Sequence, residues 1–179
     1  VVQPQFQMAY AFNDGLAAVQ QKNMMGLIDK TGKWVIEPKY REVTSYSDGL
    51  IGVWPDLQSK WSYIDKTGKT VIPAQFDRAK SFSGGLAPVR VNDMWGFIDK
   101  TGNYIIEATF TGAEAFSEGL ACVEVDYAKF GFIDKTGKLV IPAQYDRSAT
   151  FWHGLAWVEE WQTLGLINTK GEWVWKGSR

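Results

Sequence analysis

The sequence holds one cysteine and one histidine, and it lacks any run of about 18 apolar residues. A single thiol excludes an internal disulfide framework and a metal site built from several cysteines. Without a long apolar run, no transmembrane helix is expected. We interpret Cys122 as a small hydrophobic residue of the core, the usual place of an unpaired cysteine.

An excess of charge of either sign is also missing, because 19 Lys and Arg offset 20 Asp and Glu to a formal net charge of −1. Nucleic-acid-binding proteins carry a basic patch or stripe, and no such stripe of Lys and Arg occurs here. The sequence therefore indicates neither a nucleic-acid partner nor insertion into a membrane.

Catalytic signatures are absent as well: there is no nucleophile elbow, zinc-protease motif, phosphate-binding loop or dinucleotide fingerprint. His153 has no second histidine with which to build a cluster, and it occupies a turn position held elsewhere by Asp, Gly or Glu. We interpret it as an exposed turn residue. We predict no catalytic residue, no metal and no cofactor, and hence that the chain is not an enzyme.

What the sequence does contain is an internal repeat. The tetrad Asp-Lys-Thr-Gly or its variant Asn-Thr-Lys-Gly starts at 29, 65, 99, 134 and 168, at intervals of 36, 34, 35 and 34 residues. A second tetrad ending in glycine keeps the same spacing, at 12–15, 46–49, 82–85, 116–119 and 151–154. Two motifs in phase five times define one repeat domain, 1–179, with units of approximately 1–34, 35–70, 71–104, 105–139 and 140–175.

The repeated unit is typical of short strands joined by turns. Its apolar runs have four or five β-branched or aromatic residues and are bounded by Gly and Pro. An Asp that opens the first tetrad and a Gly that closes it favour a β-hairpin there. The stretch that corresponds to 40–46 is expected to be irregular or a short strand.

One unit buries little apolar surface alone, so the units must stack. We expect Leu50, Val53, Ile64, Val71 and Phe82, with their equivalents, to form a continuous core. The predicted fold is an all-β tandem array of five ~35-residue repeats that contain β-hairpins, in an open β-solenoid or superhelical stack. The alternative is a closed five-bladed, propeller-like ring, for which about 35 residues is short against the usual 40–45.

Segment 95–102 reads Trp-Gly-Phe-Ile-Asp-Lys-Thr-Gly, segment 116–121 reads Phe-Ser-Glu-Gly-Leu-Ala, and Tyr145 is followed by Asp146. These motifs resemble the bacterial WG-repeat family, also called KWG repeats. The name-giving Trp is Met25, Phe130 or Leu164 in other units, and its Gly is Ser62 in one. The resemblance implies a tandem array of variable copy number, which weighs against a ring of fixed size, and it implies no catalytic residues.

The aspartates that open the first tetrads could bind calcium or cap turns. A calcium site needs six or more oxygen ligands, with several carboxylates close together. Here each Asp is followed by Lys, and the fifth copy is Asn168, which caps a turn equally well. We predict turn capping at Asp29, Asp65, Asp99 and Asp134.

Binding residues are predicted in the connectors that precede the W-G position, because they vary while the frame stays fixed. We expect these connectors to line one rim of the stack, with Trp54, Tyr127 and Trp161 as ligand-binding anchors. The alternative is that these rings fold over neighbouring residues in tolerant loops. Trp61 and Trp95, at the W-G position itself, are expected to pack one unit on the next.

The predicted function is a non-catalytic scaffold that binds a protein or peptide partner through these loops. The alternatives are a carbohydrate-binding module that uses exposed Trp and Tyr, and a structural spacer within a longer protein. The chain begins inside a unit and without an initiator Met, which suggests a processed or trimmed product and a bacterial envelope or exported setting.

Overall fold

A computed structural model of the chain describes residues 6–126 and 129–177, and these residues form strands and turns without a helix. Accordingly, no described helix is long and apolar enough to cross a bilayer. Within the same residues, the strands build five antiparallel sheets of four strands, and neighbours in each sheet are consecutive in the chain. The repeated, all-β architecture predicted from the sequence is confirmed.

The strands are assigned to the sheets in order. Sheet 1 contains β1 (Met8–Ala9), β2 (Leu16–Gln21), β3 (Met24–Asp29) and β4 (Trp34–Tyr40). Sheet 2 contains β5 (Glu42–Val43), β6 (Ile51–Trp54), β7 (Trp61–Ile64) and β8 (Thr70–Phe76). Sheet 3 contains β9 (Arg78–Ala79), β10 (Ala87–Val91), β11 (Met94–Ile98) and β12 (Tyr104–Phe110). Sheet 4 contains β13 (Gly112–Ala113), β14 (Ala121–Val125), β15 (Lys129–Ile133) and β16 (Leu139–Tyr145). Sheet 5 contains β17 (Arg147–Ser148), β18 (Leu155–Glu160), β19 (Thr163–Asn168) and β20 (Trp173–Lys176).

Single residues join one sheet to the next. The fourth strand of a sheet and the first strand of the following sheet are separated only by Arg41, Asp77, Thr111 or Asp146. Sheets 1 to 4 are therefore completed by residues of the following sequence unit, because their fourth strands begin at the predicted unit boundaries. The stretch 40–46, which was expected to be irregular or a short strand, contains the two-residue first strand of sheet 2, β5.

In each sheet a bulge interrupts the pairing of the third and fourth strands, and it explains why the W-G pair contains a glycine. In sheet 3, Trp95 pairs with Phe110 but Phe97 pairs with Ile106, so β12 carries two extra residues between these pairs. The bulged strand passes so close that a Cβ on Gly96 would lie 2.6 Å from the carbonyl oxygen of Ile106. Only glycine leaves room for this approach without a shift of backbone.

The core lies between successive sheets. Clusters of buried side chains join sheets 1 and 2, 2 and 3, 3 and 4, and 4 and 5. Of the expected core residues, Leu50, Val53, Ile64 and Phe82 are buried. The prediction for Val71 is wrong, because this residue is 42 % exposed. On the edge strand β8 only Ile72 and Phe76 are buried, so the neighbouring Ile72 lies in the core in place of Val71.

In sheets 3, 4 and 5, a phenylalanine from the second tetrad packs against an aromatic ring of the preceding sheet. Phe82 lies 4.9 Å from Tyr63, Phe116 lies 5.1 Å from Phe97, and Phe151 lies 4.7 Å from Phe132, measured between ring centroids. Burial of a phenylalanine contributes about 1.5–3 kcal/mol. Stacking of one unit on the next, as predicted, is thus the main source of cohesion.

Hydrogen bonds between successive second tetrads accompany this packing. The Ser83 hydroxyl donates to the carbonyl oxygen of Phe116 at 2.6 Å. In two acidic copies, the carboxylate accepts from the glycine N–H of the next tetrad: Asp48 from Gly85 at 2.7 Å, and Glu118 from Gly154 at 2.8 Å. His153 occupies the same tetrad position in sheet 5, where it is exposed in a turn with φ of 51°.

The stack is open at its ends. Tyr10 and Phe12 beside sheet 1 are 54 % and 47 % exposed, and Trp175 on sheet 5 is 56 % exposed. A ring closed by packing sheet 5 against sheet 1 would cover these side chains. The open array is therefore the arrangement that this chain adopts, and the closed ring is not.

Candidate functional site

The first tetrads form the predicted turns. Oδ1 of Asp99 accepts from the N–H of Thr101 at 2.8 Å, the hydroxyl of Thr101 at 2.6 Å and the N–H of Asn103 at 3.0 Å. The hydroxyl bond from Thr101 is the main reason why the pKa of this carboxyl is lowered. Asn168 accepts from the N–H groups of Lys170 and Glu172 in the same way. Turn capping is confirmed as the role of this position.

The variable connectors form hairpin turns between the second and third strands of the sheets. Three of them place two successive non-glycine residues at positive φ: 22–23, 92–93 and 161–162. This is the backbone of a type I′ turn, which suits Asn, Asp and Gly. Trp161 adopts a φ of 52° there, a region that bulky side chains rarely enter.

Trp54 is the last residue of β6, and its ring is held by the connector that follows. Its indole Nε1–H donates to the carbonyl oxygen of Ser59 at 2.8 Å. Its ring lies parallel to that of Trp61, at 4° and 6.4 Å between centroids, and Trp61 is buried in the core between sheets 2 and 3. Trp54 is half-buried as a result, and one ring face is occupied by protein.

Trp161 has the opposite environment. Its side chain is 70 % exposed, although its backbone is fixed by a 2.7 Å hydrogen bond from its N–H to Oδ2 of Asp146. The Nζ of Lys129 lies 4.9 Å from the ring centroid and 2.5 Å from Oδ1 of Asp146. The hydrogen bond from Lys129 is the main cause of the lowered pKa of Asp146. One ammonium group thus orients both the carboxylate and the indole.

A depression of about 710 Å³ opens beside this tryptophan. It is lined by Asp146, Arg147, Glu159, Trp161 and Gln162. Nε of Arg147 lies 3.7 Å from Oε2 of Glu159. The depression therefore combines a flat aromatic surface with both signs of charge.

Similar depressions lie where successive sheets meet. Their volumes are about 310 Å³ between sheets 1 and 2, about 520 Å³ between sheets 2 and 3, and about 210 Å³ between sheets 3 and 4. Each is walled by the short first strands and by the residue at the W-G position: Met25, Trp61 with Trp95, and Trp95 with Phe130. We call this series, with the depression at Trp161, the groove.

Charged pairs line the groove. NH1 of Arg78 lies 4.0 Å from Oε2 of Glu42, across sheets 2 and 3. Nζ of Lys80 lies 2.7 Å from Oε1 of Glu114, across sheets 3 and 4, and 5.1 Å from the centroid of the Trp95 ring. Because these pairs are solvent-exposed, they contribute little to stability and remain available to a ligand.

The predicted anchors are not gathered into one patch. Trp54 and Trp161 lie at the same end of their sheets, but sheets 3 and 4 separate them. Tyr127 lies outside the residues that the structure describes. Trp61 and Trp95 pack between sheets as expected, yet they also line the groove.

Sequence analysis missed the aspartates at the joints. Asp77 accepts from the Nζ of Lys60 and, at 3.0 Å, from the N–H of Asn92 in the next hairpin turn. Asp146 repeats this arrangement with Lys129 and Trp161. The signal was present, because both aspartates follow an aromatic residue and precede Arg, and both lysines precede the W-G position.

Comparison with known families agrees with this geometry. A family model for the WG-containing repeat matches residues 1–24, 25–53, 61–95, 95–127 and 130–160, most of the chain. The chain belongs to the WG-containing repeat family. The resemblance drawn from its motifs is confirmed. A search of curated proteins finds no match.

WG-repeat stacks of this kind resemble parts of longer solved structures. Hsv2 of Kluyveromyces lactis matches with a TM-score of 0.63 at 14 % identity, over 93 % of this chain and 61 % of that one. The computationally designed protein Ika8 matches with a TM-score of 0.61 at 11 % identity, over 93 % and 60 %. The WD40 β-propeller domain of Doa1 matches with a TM-score of 0.52 at 12 % identity, over 97 % and 69 %. At these identities the likeness concerns the fold alone: the five sheets are arranged like part of a propeller.

Proposed function

We propose that this WG-repeat chain is a non-catalytic scaffold that binds an extended protein or peptide segment along the groove. The observation that carries the proposal is Trp161, a 70 % exposed indole held by Asp146 and Lys129 in a backbone conformation unfavourable for tryptophan. Strain of this kind is kept where the side chain serves a purpose. A rigid, exposed aromatic ring is the typical anchor of a binding site.

The shape of the groove favours an extended ligand. Its depressions follow one another at the sheet junctions, so a chain that runs across the stack meets a similar wall at each junction. Half-buried rings such as Trp95 and Phe130 offer apolar contact, and the Arg78–Glu42 and Lys80–Glu114 pairs offer hydrogen bonds. Such alternation of apolar and charged positions suits a peptide with both kinds of side chain.

The test is selection of random peptides on the immobilised protein, followed by calorimetric titration of the selected peptides. Trp161→Ala should weaken binding about tenfold or more, because loss of a central aromatic anchor costs about 2 kcal/mol. Trp152→Ala is the matched control. This tryptophan is 76 % exposed, but it lies at the other end of strand β18, away from the groove.

Failure to select any peptide, or equal binding by both variants, would remove the groove from consideration. Circular dichroism at each step verifies that the variants are folded. Trp54→Ala is a poor probe, because its ring packs on Trp61 and its loss would disturb the core.

Carbohydrate binding is a second candidate function, favoured by one observation. The Trp161 ring lies beside Asp146, Glu159 and Gln162, and polar side chains next to a flat aromatic face suit a sugar ring. The nearly parallel pair Trp54 and Trp61 does not extend this surface, because Trp61 is 4 % exposed. A glycan array probed with the same variants separates the two functions, and silence in both assays leaves the spacer alternative.

A further inference from the structure

The depression between sheets 2 and 3 is the most basic part of the groove. Among the residues that the structure describes, its walls carry three cationic side chains, Arg78, Lys80 and Arg90, and one carboxylate, Glu42. Its volume of about 520 Å³ leaves room for a side chain of a ligand. The excess of positive charge favours an anionic group there.

The two arginines lie directly opposite each other on neighbouring strands. Arg90 of β10 pairs with Arg78 of β9, and on its other side Arg90 pairs with Trp95 of β11. Directly opposed residues of antiparallel strands place their side chains on the same face of the sheet, where like charges repel. This pair therefore lowers stability, and a structural role does not account for it.

The other four sheets avoid like charges at these two positions. In sheet 5 the arginine faces a glutamate, and in the other three sheets at most one of the two residues is charged. The corresponding pairs are Met8 with Gln20, Glu42 with Trp54, Gly112 with Glu124, and Arg147 with Glu159. The opposed arginines are thus a feature of sheet 3 and not of the repeat.

The carboxylates that pair with the two arginines are exposed. Oδ1 of Asp93 accepts from NH2 of Arg90 at 2.6 Å, but the Asp93 side chain is 79 % exposed. Oε2 of Glu42 lies 4.0 Å from NH1 of Arg78, and both side chains are more than half exposed. Asp77 is already bound by a lysine and by the neighbouring hairpin turn. Because exposed ion pairs are weak, both guanidinium groups can exchange their partners for a carboxylate of a ligand.

Two buried donors that belong to the walls of this depression lack an acceptor. Trp61 is 4 % exposed, and none of the described residues accepts from its indole Nε1–H. The buried Nε–H of Arg90 is unpaired in the same sense. Buried donors are nearly always paired in folded proteins, because an unpaired one has lost its bonds with water. Unpaired N–H groups beside opposed arginines indicate a place for an anionic acceptor.

The neighbouring depression limits the kind of anion. Between sheets 3 and 4, the wall carries Glu114 and Glu124 together with Lys80. A ligand with a negative charge on every unit, such as a nucleic acid, would be repelled there. A peptide can carry one acidic side chain among neutral or basic ones, so a peptide suits both depressions.

We propose that the depression between sheets 2 and 3 binds an Asp or Glu side chain of the peptide ligand. This inference rests on the proposed function, because it names the residue type that the groove selects at one junction. The carboxylate accepts from the guanidinium groups of Arg78 and Arg90 and offsets the repulsion between them. The Trp95 ring beside them packs against the aliphatic part of the acidic side chain.

A double-mutant cycle between peptide and protein tests the proposal. A synthetic library of acetylated and amidated peptides is selected on the wild-type chain, so that only side chains carry negative charge. The selected peptides should share one acidic residue. Replacing it by the corresponding amide should weaken binding about tenfold or more, measured by calorimetry, because charge-assisted hydrogen bonds are lost. On Arg90→Gln or Arg78→Gln the same replacement should weaken binding less than about threefold.

Lys69→Gln is the matched control for the loss of one positive charge. Lys69 is exposed in the turn between β7 and β8, at the end of β7 opposite Trp61 and the groove. On this variant the amide replacement in the peptide should still weaken binding about tenfold. Circular dichroism verifies that each variant is folded.

Two results would overturn this inference and leave the proposed function in place. The first is a set of peptides that depend on Trp161 but share no acidic residue. The second is an equal effect of the amide replacement on the wild-type chain and on both arginine variants. A selection that yields no peptide would overturn both proposals, and binding of single-stranded DNA that Arg90→Gln abolishes would then assign the depression to a nucleic acid.

Discussion

At the scale of single residues, Trp54 and Trp161 show what a sequence can and cannot reveal about a binding site. By sequence both stand in the variable connector and are equivalent candidates. In the structure Trp54 is the last residue of β6, whereas Trp161 follows the end of β18 and lies in the turn. The connector after Trp54 is longer and brings Ser59 back to its indole, whereas the tight turn at Trp161 leaves the ring outside. Position in the strand and the length of the loop decide exposure here, and neither is encoded by a single residue.

The capping aspartates were easier to predict, because their chemistry is local to the tetrad. Each carboxylate accepts bonds from residues two and four positions later, so the tetrad and the one residue after it contain the whole motif. The bond from the threonine hydroxyl is the main cause of the lowered pKa of Asp29, Asp65, Asp99 and Asp134.

These lowered pKa values predict a loss of stability in acid. A carboxyl with a folded-state pKa below its unfolded value stabilises the fold above the unfolded pKa, and this contribution disappears as the pH falls through the folded-state pKa. The melting temperature should therefore drop between about pH 5 and pH 2. Replacing all four by Asn, as at Asn168, should reduce this drop, whereas Asn168→Asp should enlarge it. The melting temperatures of the wild type, the variant with four Asn and Asn168→Asp are measured by circular dichroism as a function of pH. The same pH dependence in all three would contradict the conclusion that these carboxylates stabilise the fold.

At the scale of elements, hairpins were predictable and joints were not. The Asp and Gly of the first tetrad specify a turn by themselves. The bulge opposite Gly96 and the single-residue joint at Asp77 depend on which strands pair, and on residues nine to fifteen positions away. The error at Val71 has the same origin. Which residues of an edge strand are buried can be predicted only when it is known which side of the strand the next sheet covers.

The glycine of the W-G pair predicts a measurable cost at this scale. Gly96→Ala should lower the free energy of unfolding by about 1–3 kcal/mol, because the added Cβ meets backbone atoms of Ile106 and Ala108 at 2.6 and 2.7 Å. Sheet 2 carries Ser62 at the corresponding position, so the neighbouring strand can yield to a Cβ. Ser62→Ala keeps that Cβ and should change stability less. Urea denaturation measures both, and an unchanged midpoint for Gly96→Ala would count against the close approach.

At the scale of the whole molecule, the sheets contact mainly their neighbours, so local opening is expected to precede global unfolding. Cys122 reports on the contact between sheets 4 and 5. It is 3 % exposed, and burial raises the pKa of its thiol to about 11. The thiol can react with a labelling reagent only when sheet 5 moves away.

Phe151→Ala should therefore accelerate labelling of Cys122 about 100-fold or more, because loss of a buried phenylalanine costs about 3–5 kcal/mol. Phe82→Ala removes the same group from the junction of sheets 2 and 3 and should change the labelling rate much less. Equal acceleration by both variants would mean that the five sheets open as one unit. The rates are measured with a chromogenic disulfide under native conditions.

The offset between sheets and sequence units has a genetic consequence. The order of strands and turns repeats along the chain, and one residue joins each sheet to the next. If a segment one period long is copied in tandem, the residue that follows the end of the copy is therefore the one that the repeat pattern requires there. A tandem duplication of such a segment would add a complete sheet wherever the breakpoints fell, even in the middle of a strand. Length can change in this family by ordinary copying errors, with no need for breakpoints at structural boundaries.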